Sequence, residues 1–448
     1  MSARLDLALG LGLGLLLTLA HQGSLNRVWV AAGAQDLAMV AEARELIVER
    51  WVEEPDSAEL RDAAVAGMAN SLDPFSRYIP PEQLRAFNEQ TSGQFGGLGV
   101  LIEVFEGRLR VLTPFKGTPA WEARLLPGDV IAAVDGEPLE GLTRTEDAAG
   151  KLKGAPGSEI RLTVERPGVE GPLEFTLTRA RIDRESVRRE RILADGIGYL
   201  FVEGFNAATA IQCAEALRRL EGEGLRALIL DLRDNGGGYV DAAVDLADLF
   251  LPAETLVVTT RGRGGVVADE RRTSTAPLAS VPVAVLINAH SASASEILAG
   301  ALTDCGVATA VGTRSYGKGS VQTLLFLLGG TAKLKLTTHY FYTPKGRRIH
   351  QGRLPDDDPS WGVLPSIRVP ISDEVRGEVL LAESAWELKR LQAEAFEKPF
   401  EAEEHLHEHD PQVAAAFAHL QRVLSEQAEL GEVLDLTPPS VADVDSGD

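Results

Sequence analysis

Two short stretches, Ala227–Leu232 and Val281–Ile287, carry one polar side chain between them, Asp231, and each is too short for an ordinary helix. A continuous run of this kind, rich in Val, Ile and Leu, is the pattern of a strand buried on both faces. Ile197–Val202 reads as a further strand, and Asn206 stands before an amphipathic helical pattern through Ile211, Ala214, Leu217 and Leu220. Strands alternating with helices predict an α/β sheet covered on both sides. That constraint governs the middle of the chain, residues 181–370.

The flanking regions obey other rules. Residues 36–90 place Leu37, Val40, Ala41, Ile47, Val48 and Trp51 on one helical face, suited to core packing or to pairing with a second copy as a homo-oligomer. Residues 371–448 read as an acidic, helical C-terminal region. There, His405 and His409 stand four residues apart, a spacing able to clamp a metal, but the adjoining Asp410-Pro411 turn and flanking acids favour a solvated break, so no metal site is expected. The net charge of −22 excludes a nucleic-acid partner, since phosphate binding needs a basic face. Two cysteines, Cys213 and Cys305, give no disulfide framework and read as two free, buried thiols. Within residues 1–35, the uncharged run Leu7–Ala20 has the length of a signal-peptide core and predicts export to the cell envelope. The leader is either cleaved, leaving a periplasmic protein, or retained as a membrane anchor.

Residues 91–180 switch to a glycine-rich β pattern. Gly96-Gly97-Leu98-Gly99 leads into Val100–Phe105, Glu106-Gly107 turns into Leu109–Leu112, and Leu126-Pro127-Gly128-Asp129 precedes Val130–Val134. Short helices are expected over Thr118–Arg124 and Thr143–Leu152, with strands at Ile160–Val164 and Leu173–Thr178. This module resembles a PDZ domain of the bacterial, circularly rearranged kind. Such domains bind the C-terminal segment of another protein by strand addition. The resemblance places the peptide-binding residues at Gly97, Leu98, Gly99 and Val100.

The richest chemistry lies at Ser291-Ala292-Ser293-Ala294-Ser295-Glu296, between a buried strand and a helix. The free N–H groups of a helix start favour developing negative charge, which suits a nucleophile and its oxyanion. The same residues also fit an ordinary capping box, Ser-x-x-Glu. A serine needs a base to become nucleophilic. His339, His350 and Lys318 are candidates, His290 being too close in sequence; a lysine in an apolar pocket loses its proton more readily.

Taken together, the serine run, Gly317-Lys318-Gly319-Ser320-Val321-Gln322, Leu72-Asp73-Pro74-Phe75-Ser76-Arg77-Tyr78, Leu230-Asp231-Leu232-Arg233-Asp234-Asn235 and Thr343-Pro344-Lys345-Gly346-Arg347 resemble the carboxyl-terminal processing peptidases, or tail-specific proteases, in family order. The resemblance implies a crotonase-like α/β protease core with an inserted PDZ domain and helical N- and C-terminal segments. It implies a serine endopeptidase that needs no cofactor, with Ser293 as nucleophile, Lys318 as base 25 positions later and Gln322 orienting it. It assigns the oxyanion hole to the amides of Gly237 and Ala294 and makes Asp304 a supporting residue. An extended chain over 318–322 would separate Lys318 from Gln322 by ~13 Å, so contact between them requires Gly319 to turn. Gly236 stands where the family has proline, which predicts a more mobile loop, and Ser366 where it has aspartate.

Overall fold

The structure, a computed structural model, describes residues 37–84, 87, 95–139, 141–182, 185–400 and 409–434. The apolar run at the N-terminus and His405 lie outside the described residues. Among the described residues no helix is long and apolar enough to cross a membrane, and no group of His, Cys, Asp and Glu forms a metal cluster.

One compact unit holds the described residues up to Leu84 together with Leu324–Leu336. Residues 37–50 are helical, and their apolar stripe, including Leu37 and Trp51 just beyond, stays exposed and is not core. Helix α1 (Ser57–Asn70) is started by the Asp56 carboxylate, which accepts the Ala58 and Glu59 N–H groups. Arg77–Ile79 then pairs antiparallel with Lys333–Lys335.

The second unit runs from Arg85 to Thr323 and from Thr337 onward. Its first part is a six-strand antiparallel sheet: β1 (Val100–Phe105), β2 (Arg108–Pro114), β3 (Val130–Val134), β4 (Glu159–Glu165) and β5 (Leu173–Thr178) are neighbours in that order, and the two-residue strand Glu137–Pro138 pairs with β3. Period-two patterning drives it. Ile160, Leu162 and Val164 of β4 point into a core with Leu109, Val111 and Ile131, while Glu159, Arg161 and Glu165 point away. Helix α2 (Thr145–Leu152) adds Ala148 and Leu152 to that core. The Leu-Pro-Gly-Asp turn has a physical cause. Buried Asp129 accepts the Leu126 N–H and forms a two-pronged pair with Arg166 at 2.7 and 2.8 Å.

The second part carries the α/β sheet. Strand β6 (Val187–Ile192) pairs antiparallel with β7 (Ile197–Val202). From there β7, β8 (Ala227–Asp231), β9 (Val283–Ile287), β10 (Ala308–Gly312) and the short strand Ile367–Arg368 run parallel. Alternation along β8 assigns the faces. Leu228 and Leu230 join a core built with α3 (Thr209–Gly222), α4 (Val240–Ala247) and α5 (Ala294–Asp304). Ala227 and Ile229 join another, covered by Val413, Ala416, Phe417 and Leu420 of the C-terminal helix Pro411–Leu434. A hairpin of β11 (Ser320–Leu327) and β12 (Ala332–Tyr342) follows, and β12 also pairs with Leu256–Arg261. Cys213 is buried, as expected, but Cys305 is exposed because it follows the end of α5, where the helix leaves the core.

Leu230→Ala, which empties a fully buried site, is expected to cost about 2–5 kcal/mol in urea unfolding. Leu381→Ala, at a position 74% exposed, should stay within about 0.5 kcal/mol.

Candidate active site

Strand β9 ends at Ile287, and the chain turns through residues 288–293 into α5. The three alternating serines fall into different environments there. Ser291 is buried and donates to the Leu232 carbonyl at 2.7 Å. Ser295 is buried and donates to the Asn235 carbonyl at 2.8 Å. Ser293, between them, is half-buried at the mouth of the turn. Its backbone has φ 59° and ψ −113°, a region that a residue with a Cβ enters only under constraint, at about 1–3 kcal/mol.

The constraint is Glu296. Its carboxylate is fully buried and accepts four hydrogen bonds. Oε1 takes the Ser315 hydroxyl at 2.6 Å and the Gly317 N–H at 2.7 Å. Oε2 takes the Ser293 N–H at 2.9 Å and the Lys318 N–H at 2.8 Å. One oxygen thus anchors both backbones, so the Ser293 and Lys318 nitrogens lie no further apart than those two distances combined. The capping pattern read from the sequence is met on its glutamate side, and the same carboxylate also reaches a second segment. Burial pushes Glu296 up to about 7, against the opposing pull of its donors, the Ser315 hydroxyl first.

Lys318 is half-buried in a loop shaped by its neighbours. Gly317 has φ 83°, and a Cβ there would meet the Trp361 ring at 2.7 Å. At Gly319 a Cβ would lie 2.3 Å from the His350 nitrogen, so this glycine serves close backbone approach and not a left-handed turn. Gln322, on β11, donates to the Ser320 carbonyl at 3.1 Å and hydroxyl at 2.9 Å, and to Thr337 Oγ1 at 3.4 Å. The candidate histidines His339 and His350, and His290 beside the serine run, have other contacts. His290 lies 3.2 Å from Asp234, His339 2.8 Å from the Thr338 hydroxyl, and His350 is buried and stacked on Tyr340. Asp304 supports the turn after β12, accepting the Lys345 N–H at 3.0 Å.

The glycine loop after β8 lies against the nucleophile turn. A Cβ on Gly237 would sit 2.6 Å from the Ala292 carbonyl and 2.8 Å from Ser293 Cβ, and one on Gly238 would sit 2.0 Å from the Phe205 carbonyl. Gly236 meets nothing within 4 Å, so its lack of a side chain is not imposed by contact. The Gly237 N–H is donated to Asn235 Oδ1 at 2.9 Å, whereas Ala294 opens α5, where N–H groups lie outside the helical ladder. Below the loop, buried Arg233 pairs with Asp231 at 2.6 Å and Asp410 at 2.7 Å. Sequence reasoning missed Glu296 as a two-segment clamp and Asp410 as a partner of Arg233. The first had a local signal in the capping box, but the second had none, being 177 residues away from its partner.

In the glycine-rich module, the Leu98 carbonyl accepts the Ala120 N–H at 2.8 Å, and the Gly99 carbonyl accepts Phe115 N–H at 2.8 Å and Thr118 Oγ1 at 3.0 Å. Gly99 (φ 71°) leaves no room for a Cβ beside Thr118. Val100 then starts β1, the terminal strand of its sheet, whose outer edge is bordered by α2.

These two parts define a PDZ-containing peptidase. Residues 196–359 match Peptidase family S41, residues 110–166 match the PDZ domain, and residues 20–83 match the Activating protease CtpB N-terminal domain. The chain is 37% identical over 368 residues to the Carboxy-terminal-processing protease of Bartonella bacilliformis, covering 78% of this chain and 79% of that protein. It is 33% identical to the Carboxy-terminal processing protease CtpB of Bacillus subtilis, covering 72% and 67% of the two chains. A solved photosystem II D1 C-terminal processing protease superposes with a TM-score of 0.45 at 27% identity, covering 74% of this chain and 92% of that one. The chain belongs to the carboxy-terminal processing protease family.

Glu296 gives a pH dependence of known sign. Its folded-state value of about 7 lies above the ordinary 4.5, so the folded state holds the proton more tightly. Stability from this group is complete below the ordinary value and is lost as pH rises through about 7. Glu296→Gln does not titrate, so unfolding at pH 5 and pH 8 should show wild type losing stability relative to this variant.

Proposed function

We propose that this chain is an exported serine endopeptidase in which Ser293 attacks the peptide carbonyl and Lys318 is the general base. The observation that carries the reading is the shared Glu296 oxygen, which brings the two backbones together. In the cycle, the neutral amine of Lys318 takes the Ser293 proton, and the alkoxide attacks to form a tetrahedral intermediate. Lys318 then returns the proton to the leaving amine, and water releases the acyl-enzyme by the same route in reverse. The Ala294 N–H faces the oxyanion from the helix start. Gly237 supplies the second donor once its N–H is released from Asn235. Gln322, on the strand after Lys318, is the residue that the family resemblance assigns to orient the amine.

Substrates are selected by their C-terminal segments. A peptide would add to the open edge of β1, with its carboxylate at the Gly97–Val100 turn and side chains against α2. Export rests on the Leu7–Ala20 run.

Ser293→Ala and Lys318→Ala should each lower cleavage of an unfolded protein by about 10³-fold or more, measured as single turnovers. Retention of proteolysis in Ser293→Ala would leave a PDZ scaffold with a contaminating activity as the better reading. Gly237→Ala, whose methyl group meets the Ala292 carbonyl, should lower kcat by about 10²-fold or more. Fractionation of expressing cells should find the protein outside the cytoplasm, and a cytoplasmic chain would end the export proposal.

A further inference from the structure

Strand β1 presents two different surfaces along its one open edge. Val100, Ile102 and Val104 pack against the core of the PDZ sheet, so Leu101 between them points to the opposite face. That face is not left to solvent. Leu101 is the register partner of Thr113 on β2, and partners directly opposite each other put their side chains on one side of a sheet. The Thr113 hydroxyl donates to the Leu391 carbonyl of helix α6 (Asp373–Ala395) at 3.4 Å, and Gln392 of the same helix donates to the Leu112 carbonyl at 3.2 Å. Leu101 therefore faces α6. The extra residue of the adjoining bulge, Leu112, belongs to β2, so the alternation along β1 is unbroken.

Between the sheet and the helix lies a cavity of about 470 Å³, within the ~300–1,000 Å³ usual for ligand pockets. Leu101 and Phe115 from the sheet, Ile182, and Leu388 and Leu391 of α6 give it apolar walls. It reaches the turn where a terminal carboxylate would sit, because Thr118 lines it and donates to the Gly99 carbonyl at 3.0 Å. Lys153, the residue after the end of α2, lines it as well. Its charged lining is more basic than acidic, which suits a neighbouring carboxylate. Strand addition then fixes what meets it. An antiparallel strand whose last residue stands opposite Val100 places its penultimate residue opposite Leu101, with that side chain on Leu101's face.

We propose that this cavity is a subsite for the penultimate residue of a substrate's C-terminal segment and that it selects a large apolar side chain there. The inference rests on the strand-addition reading of the proposed function and extends it to a second face. On a sheet standing alone, the side chain opposite Leu101 would project into water and carry no preference. Here α6 turns that outer face into a walled pocket, while the last and third-last residues face the side of Val100 and Ile102. Leu388 and Leu391 thereby become specificity-determining residues, although neither lies within residues 110–166 matched to the PDZ domain.

The test is peptide binding to the full chain carrying Ser293→Ala, followed by fluorescence anisotropy. Three labelled decapeptides with free carboxylates differ only at the penultimate residue, which is Leu, Asn or Ala. Leu and Asn are close in shape, so that pair isolates polarity. The Leu peptide is expected to bind about tenfold more tightly than the Asn peptide and severalfold more tightly than the Ala peptide. Adding Leu388→Glu should bring the Leu peptide down to the level of the Asn peptide and leave the Ala peptide within about twofold of its original Kd. Equal affinities for the three peptides would overturn the subsite, and so would a Leu preference that survives Leu388→Glu. The peptide series decides the matter even if that variant does not fold. Amidated versions of the same peptides keep the two ideas apart. No binding, or equal binding of amidated and free peptides, sinks selection by C-termini and the subsite with it, whereas carboxylate-dependent binding without a penultimate preference sinks only the subsite.

Discussion

The Glu296 carboxylate is the interaction on which the candidate site depends. Among the described residues, a single backbone–backbone bond, from the Tyr316 N–H to the Ser291 carbonyl at 2.9 Å, ties the strained turn at Ser293 directly to the glycine-flanked loop at Lys318. Four donors converging on one buried group fix the rest of the register. The arrangement is costly to build, because burying a charge is unfavourable unless its lone pairs are satisfied. Here they are satisfied almost entirely by backbone N–H groups, which cannot rotate away. The candidate site is therefore held largely by main-chain geometry.

The same economy appears one layer down. Arg233 is fully buried between Asp231 and Asp410, and Asp231 also accepts the Tyr199 hydroxyl at 2.7 Å. Such a network adds little net stability compared with an apolar core, but removing one partner strands the others. Its effect is to fix the level at which β8 gives way to the glycine loop. Loop position is thus set by charges, and loop conformation by the close contacts of Gly237 and Gly238.

The α/β sheet was legible because β8, apart from Asp231 at its end, and β9 are apolar runs, and the PDZ sheet because β4 alternates cleanly. Other strands were not legible for an equally physical reason. Strand β6 reads Val-Arg-Arg-Glu-Arg-Ile, and Val267–Arg272 is exposed at every position, so neither carries a hydrophobic period. Edge strands bear charge to discourage pairing with strangers, and that erases their signature. In the site, Ser293, Lys318 and the glycines stood out through family resemblance and local motif. The long-range partners, Asp410 of Arg233 and Arg376 of Asp234, did not, since nothing in a helix of mixed charge marks which residue turns inward.

The second face of the parallel sheet is closed by Val413, Ala416, Phe417 and Leu420, contributed from the final stretch of the described chain. Ile229, Leu286 and Val311 on that face therefore stay uncovered until the helix Pro411–Leu434 docks, and Arg233 must wait as long for Asp410. The floor beneath the glycine loop is thus completed from a segment far downstream of the loop itself.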